Sequence, residues 1–233
     1  MWRPLFALAL SLFVASAADN QWMFQSEKKW DQQWRAGQWG YMDKVAVERS
    51  KVSVMGVMGQ IYSNASGSVL DVGCGEGSLA DFLTAEQRAQ YVGVDLSKEA
   101  VFSGRRKRPS LRFVHAAAHQ FRPRRGGHKF DLITFADMLY YVEHEKVLRQ
   151  YNEYLSDNGI VIISIWRPAT SEQLMYKEIF EYARLVFEKV DEIEVSGTTK
   201  KQAHDAKVVI TPVTFHIEVL RKRKANATTI AIK

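Results

Sequence analysis

A single cysteine, Cys74, among 233 residues excludes any internal disulfide, so the fold cannot lean on the redox state of its compartment. Past the first twenty residues the chain lacks any apolar run near the roughly 20 residues that cross hydrocarbon, which excludes a stable membrane span in that part. It has no internal repeat, no low-complexity tract and no linker-like stretch between two halves. A single domain is therefore expected, of a size that buries an ordinary core. No nucleic-acid-binding motif accompanies its basic clusters at 104–110, 122–129 and 220–224, so these read as solvated loops and a charged strand end.

What is present begins with a leader. One arginine precedes an apolar stretch from Leu5 to about Val14, followed by Ala15, Ser16, Ala17 and Ala18. This order of parts is that of a secretory signal peptide. Residues 1–18 are expected to be removed on entry to the secretory pathway; an uncleaved leader would instead anchor the protein to a membrane. Two sequons, Asn64-Ala65-Ser66 and Asn226-Ala227-Thr228, agree with export. Apolar residues at 46% and charged ones at 25% are globular proportions.

Short apolar runs alternate with helical stretches. SVLDV at 68–72, YVGVD at 91–95, LRFVH at 111–115, FDLITFAD at 130–137 and IVIISIW at 160–166 read as strands. Helices are expected from Asp43 as a cap to Ile61, from Gly77 to about Thr84, and from Ser97 as a cap to Arg106. Two more run from about Glu145 to Leu155, stopped by Asp157-Asn158-Gly159, and from Ser171 to about Phe187. KVDEIEV, KVVI and VTFHIEVLR then follow one another without a helix. The pattern predicts an α/β, Rossmann-like, doubly wound sheet of seven mostly parallel strands with an antiparallel C-terminal edge strand.

In such a sheet a ligand sits beyond the carboxyl ends of the strands. The stretch VLDVGCGEGSLADFL, 69–83, places three glycines there, where they permit a tight turn and a close approach of the ligand to the backbone. Asp95 ends the second strand, 18 residues beyond Gly77, where a carboxylate accepts hydrogen bonds from ribose hydroxyls. A dinucleotide is disfavoured by the G-x-G-x-G spacing and by Asp71, whose charge repels phosphate. A phosphate-free nucleoside carrying positive charge suits both acids, and S-adenosylmethionine is such a compound.

VLDVGCGEGSLADFL with YVGVDLS resembles motifs one and two of the class I S-adenosylmethionine-dependent methyltransferases, the likeness covering about residues 43–195. It implies that Asp71, Gly73 and Gly75 line the methionine part of the cofactor and that Gly77 permits the turn into the helix. Asp95 would hold the ribose and Leu96 would pack near the adenine. Cys74 occupies a variable slot and reads as a small apolar filler. Many members carry an acid after strand three for the adenine amino group, and this chain has Ala117 there. Adenine recognition is then expected from backbone near Ala117 and Ala118, or from His119. The missing acid keeps open a second reading, a secreted binding module that retains the fold without the chemistry.

A narrower likeness lies in VERSK at 47–51, FDLITFADMLYYVEHEKVL at 130–148 and SIWRP at 164–168, which together look like the nodulation-factor N-methyltransferases and their small-molecule-modifying relatives. Those enzymes have glutamate in place of Asp137 and histidine in place of Ile165. Asp137, at the end of strand four, is the candidate to orient or deprotonate an acceptor amine or hydroxyl. Tyr140 is a candidate wall of the site with Tyr141, and His144 a candidate base. Trp166 and Arg167 are expected to close the pocket, with Arg167 meeting an acidic or sugar-like acceptor. Trp30, Trp34, Trp39 and Tyr41, in an aromatic-rich segment over about 22–62, are expected to form a lid. The partner class is a small molecule and no metal is expected. Nucleic acid is not expected either, because Ala136-Asp137-Met138-Leu139 lacks the Asn-Pro-Pro-aromatic or Asp-Pro-Pro-aromatic element of base-flipping amine methylation.

Overall fold

The computed structural model describes residues 25–123, 127–167, 174–202 and 208–224. The leader at 1–18, Trp22, Pro168 and the sequon at Asn226 lie outside the described residues. A first helix, α1, spans Glu27–Arg35, and a second, α2, spans Ala46–Tyr62. Strand β1, Val69–Val72, is followed by a 3₁₀ turn at Ser78–Phe82, helix α3 at Ala85–Ala89 and β2 at Tyr91–Asp95. Then come α4, Lys98–Lys107; β3, Arg112–His115; β4, Phe130–Ala136; a 3₁₀ turn at Leu139–Tyr141; and α5, His144–Tyr154. The remainder is β5, Leu155–Arg167; α6, Leu174–Val186; β6, Phe187–Gln202; and β7, Val208–Lys222.

The seven strands form one sheet in the order β3-β2-β1-β4-β5-β7-β6. β1 pairs in parallel with both β2 and β4, so the connections leaving β1 and β4 run to opposite sides. β7 runs antiparallel to β5 and β6 and lies between them, so β6 forms the outer edge at this end. All four residues of β1 are buried, as a strand covered on both faces requires. Alternation sends Leu70 and Val72 to the core under α5 and α6, with Ile133, Phe135, Leu148 and Tyr151. Val69, Leu132, Ile160 and Ile162 face the opposite core, with Met55 and Met58 of α2.

Four local expectations differ from the structure. Residues after Gly77 form a short 3₁₀ turn rather than a helix to Thr84, because Thr84 starts its own helix through a capping box with Gln87. Asp43 caps nothing: α2 begins after Val45, and Asp43 lies 3.5 Å from Lys107 instead. Asp157-Asn158-Gly159 falls inside β5, in an irregular stretch between the Phe130–Leu155 and Leu132–Ile160 pairs, and α5 has already ended at Tyr154. KVVI and VTFHIEVLR belong to one strand that runs through Pro212. That proline pairs with Thr198 beyond the last β5 pair, Arg167–Thr214, where β7 has a neighbour on one side only.

Candidate active site

A cavity of about 700 Å³ opens at the carboxyl ends of β1, β2 and β4, where the strand order reverses. Its size is that of a small-molecule site. On one side lies the glycine loop, whose Gly73, Gly75 and Gly77 have φ of +71°, +54° and +82°. A Cβ at Gly75 would stand 3.2 Å from the Trp34 ring, and one at Gly77 would meet Phe113 at 2.8 Å. Conformation disfavours a side chain at each of these three positions, and Phe113 leaves none room at Gly77. Gly73, Cys74 and Gly75 line the cavity, while Gly77 is turned away from it and caps the 3₁₀ turn.

Two acids flank the loop. Asp95 accepts from Gly75 N at 2.8 Å through Oδ2 and from Ser97 N at 2.7 Å through Oδ1. Each carboxylate oxygen can accept a further hydrogen bond, and Asp95 and Leu96 both line the cavity. Asp71 shares a sheet face with Val69 and is buried, bonded to Tyr91 Oη at 2.7 Å and Thr134 Oγ1 at 2.9 Å. Burial pushes its pKa up to about 6 against these two hydrogen bonds. Burial likewise raises the Cys74 thiol, which stays protonated and fills space under Gly93. Beyond β3 the cavity is walled by Ala116, Ala117 and Ala118, with His119 and Gln120 as the polar side chains. The Ala117 carbonyl already accepts from Gln120 N and Phe121 N, and that of Ala118 from Tyr151 Oη.

The far side of the cavity carries a charged group that the sequence analysis left without a role. Lys51 of α2 is 5% exposed, and its Nζ lies 2.6 Å from Glu48 and 2.5 Å from Asp137. It also stands 4.3 Å from the centre of the Phe215 ring. Burial alone would lower the Lys51 pKa, but Asp137 and then Glu48 outweigh it and hold the ammonium above its ordinary value. Asp137 has φ +51°, a left-handed conformation for a residue with a side chain. Its N–H donates to the Ser164 carbonyl at 2.9 Å, which fixes the turn out of β4. Burial raises its carboxyl, with Lys51 opposing. The available signal was a glutamate and a lysine three apart among Val47, Val52 and Met55, on the face that α2 buries.

Tyr140 and Tyr141 line the cavity, their ring centres 4.5 Å apart, and burial raises both phenols well above their ordinary value. Trp166 lines it too. Two residues are placed elsewhere. His144 starts α5 on the same stripe as Leu148, which turns its ring toward Tyr182 of α6 at 6.1 Å and away from the cavity. Arg167 pairs with Glu194 on β6 rather than facing the cavity. That pair belongs to a compensated network under α6, in which Glu218 is held by Arg184 and Glu192 lies 3.2 Å from Lys189, with His216 among them. Thr199 of β6 is buried in the cavity wall, and its Oγ1 has no hydrogen-bond partner among the described residues.

The N-terminal aromatic residues form part of the cavity wall. Trp30 and Trp34 lie one turn apart on α1 and line the cavity with Trp39 and Tyr41. Trp30 meets Trp39 at 5.4 Å and presents its ring edge-on to Tyr141 at 5.0 Å.

Comparison with known proteins agrees with this geometry. No curated protein matches the chain in sequence. Among solved structures, the N-methyltransferase NodS from Bradyrhizobium japonicum WM9 is similar in fold, with a TM-score of 0.61 and 16% identity over 78% of this chain and 99% of that one. The same protein in complex with S-adenosyl-l-homocysteine gives 0.60 and 16% over 78% and 91%. A TehB-like S-adenosylmethionine-dependent methyltransferase from Corynebacterium glutamicum gives 0.55 and 18% over 84% and 98%. The model of the methyltransferase domain matches residues 54–195, more than half of the chain. With this match over a glycine loop flanked by Asp71 and Asp95 in one cavity, the chain belongs to the methyltransferase domain family, as a class I protein whose cofactor is S-adenosylmethionine.

Proposed function

We propose that this enzyme methylates an amine or hydroxyl of a small molecule, with Asp137 as the group that meets the acceptor. One observation carries the reading: a single cavity joins the glycine loop and Asp95 on one side to Asp137, Lys51 and Glu48 on the other. The bound cofactor supplies a methyl group already activated on a sulfonium, so alignment and exclusion of water are the protein's main tasks. Gly73, Gly75, Asp71 and Asp95 would hold the cofactor. Asp137, fixed by Lys51 and the Ser164 carbonyl, would accept a hydrogen bond from the acceptor's N–H or O–H and take its proton where one is released. Tyr140, Tyr141 and Trp166 would wall the acceptor, and the Trp30 to Tyr41 cluster would keep water out. Retention of Asp71, Gly73, Gly75 and Asp95 around one cavity favours the enzyme over a binding module without chemistry.

The test is incubation of the purified protein with isotope-labelled S-adenosylmethionine and a metabolite extract, followed by a mass search for products gaining one methyl. The wild type is expected to yield such a product, and Asp137→Asn to form it about 100-fold more slowly. If no product carries label in the wild-type sample, the reading fails.

Asp71 makes a second expectation, in pH. Its native carboxyl titrates near 6 rather than 3.8, so between these values the folded state holds more proton than the unfolded one. The stability it contributes is present below about pH 4 and is lost as pH rises through 6, by about 3 kcal/mol at most. Melting curves of ligand-free wild type and Asp71→Asn should therefore converge at low pH, with the wild type losing ground to the variant between pH 4 and about 6.5. A constant difference across that range would contradict the burial argument.

A further inference from the structure

Helix α1 is nine residues long and mostly polar, too short to persist in water by itself. What holds it in place is its buried face. Trp34 rests over Gly75 and Trp30 against Tyr141, so one side forms a wall of the cofactor cavity. Beside Trp34, three residues earlier on the same buried face, stands Asp31, a carboxylate only 8% exposed. An ionised group buried to that degree has to be well bonded. Asp31 Oδ1 accepts from Ser97 Oγ at 2.7 Å and from Glu99 N at 3.2 Å. Glu99 N is one of the N–H groups that the first turn of α4 leaves without an intrahelical partner, and the negative charge sits at the positive end of that helix.

Ser97 is the junction. Its Oγ accepts from Ala100 N at 3.2 Å, so its O–H is the donor to Asp31. Its own N–H holds Asp95 Oδ1 at 2.7 Å, and Gly75 N holds Asp95 Oδ2 at 2.8 Å. Consecutive hydrogen bonds therefore run from α1 through the α4 cap to the ribose-facing acid and the glycine loop. The other ties of α1, Arg35 to Glu99 at 2.7 Å and Glu27 to His115 at 3.0 Å, are between exposed groups and contribute little.

We propose that Asp31 is a positioning residue for the cofactor: it latches α1 over the cavity and, through Ser97, steadies Asp95, so that cofactor and product leave only when the Asp31 bonds to α4 break. This rests on the methyltransferase reading for the identity of the ligand, and on geometry alone for the latch. The probe is S-adenosylhomocysteine, followed with the full chain by stopped-flow tryptophan fluorescence. Asp31→Ala should release it at least about tenfold faster than wild type. Asp31→Asn, whose amide oxygen can accept both bonds, and Arg35→Ala should stay within about threefold. In the ligand-free protein, amide hydrogen exchange over 27–35 should quicken in Asp31→Ala while β1 and β4 amides remain protected. Should Asp31→Ala lose β1 and β4 protection as well, Ser97→Ala serves instead, since it removes the donor to Asp31 and leaves the Ser97 N–H on Asp95. Release at the wild-type rate from a folded variant overturns the proposal. Absence of any S-adenosylhomocysteine binding by the wild type in calorimetry sinks the methyltransferase reading instead, and α1 exchange alone then decides the latch.

Discussion

Replacing Lys51 with methionine is expected to lower the melting temperature by roughly 10 °C and to slow methyl transfer at least about 100-fold. The ammonium sits between Glu48 and Asp137 at 2.6 and 2.5 Å with almost no exposure to water. Removing it leaves two carboxylates close together in an apolar wall, and breaking a buried pair from one side costs about 3–5 kcal/mol. In a chain of this size each kcal/mol moves the melting point by about 2–4 °C. The two acids would then take up protons more readily, so part of the loss should return as pH is lowered. Adding Glu48→Gln to Lys51→Met removes one of the repelling charges and should restore part of the stability. It should not restore turnover, because Asp137 still lacks the group that orients it. A Lys51→Met protein with an unchanged melting point would show that the triad is solvated rather than buried.

Asp95→Ala is expected to weaken S-adenosylhomocysteine binding by several hundredfold in calorimetric titration. Two hydrogen bonds from ribose hydroxyls to a carboxylate contribute about 1.5–3 kcal/mol each, and the substitution removes both. It also strands Gly75 N and Ser97 N, which now share the Asp95 oxygens, so the loop and the α4 cap lose their common anchor. Asp95→Asn keeps one oxygen as an acceptor and should fall between the two. Binding within threefold of wild type in Asp95→Ala would mean that the ribose is held elsewhere.

How much of this was legible depended on whether a residue's role follows from its near neighbours in the chain. The glycine loop is local: positive φ at Gly73, Gly75 and Gly77 is a demand of three positions within five residues. Ser97 announced itself as a cap in the same way, and so did the buried strands, each a short apolar run ending at a turn. His144 and Arg167 were misplaced because their type suited chemistry, while their direction depended on α6 and β6, which lie far along the chain. The short α3 was missed although its capping box, Thr84 to Gln87, was there to be read. Lys51, quoted within VERSK without a role, and Asp31, not singled out at all, went unassigned for the reason that placed them: both are charged residues on buried helix faces whose partners, Asp137 and Ser97, stand 86 and 66 positions away.

The order of runs and turns was enough to determine an α/β sheet, a glycine turn with positive φ beyond β1 and the acid at the end of β2, because each rests on backbone conformation and on alternation over a few residues. Only the folded chain decided which charges meet. It brought α2 across β4 so that Lys51 reaches Asp137, and it docked α1 on α4 so that Asp31 reaches Ser97. It also laid β7 between β5 and β6, which puts Phe215 over the Lys51 ammonium. Electrostatic partners of that kind are chosen by packing between elements, and packing is a property of the whole core rather than of any stretch of sequence.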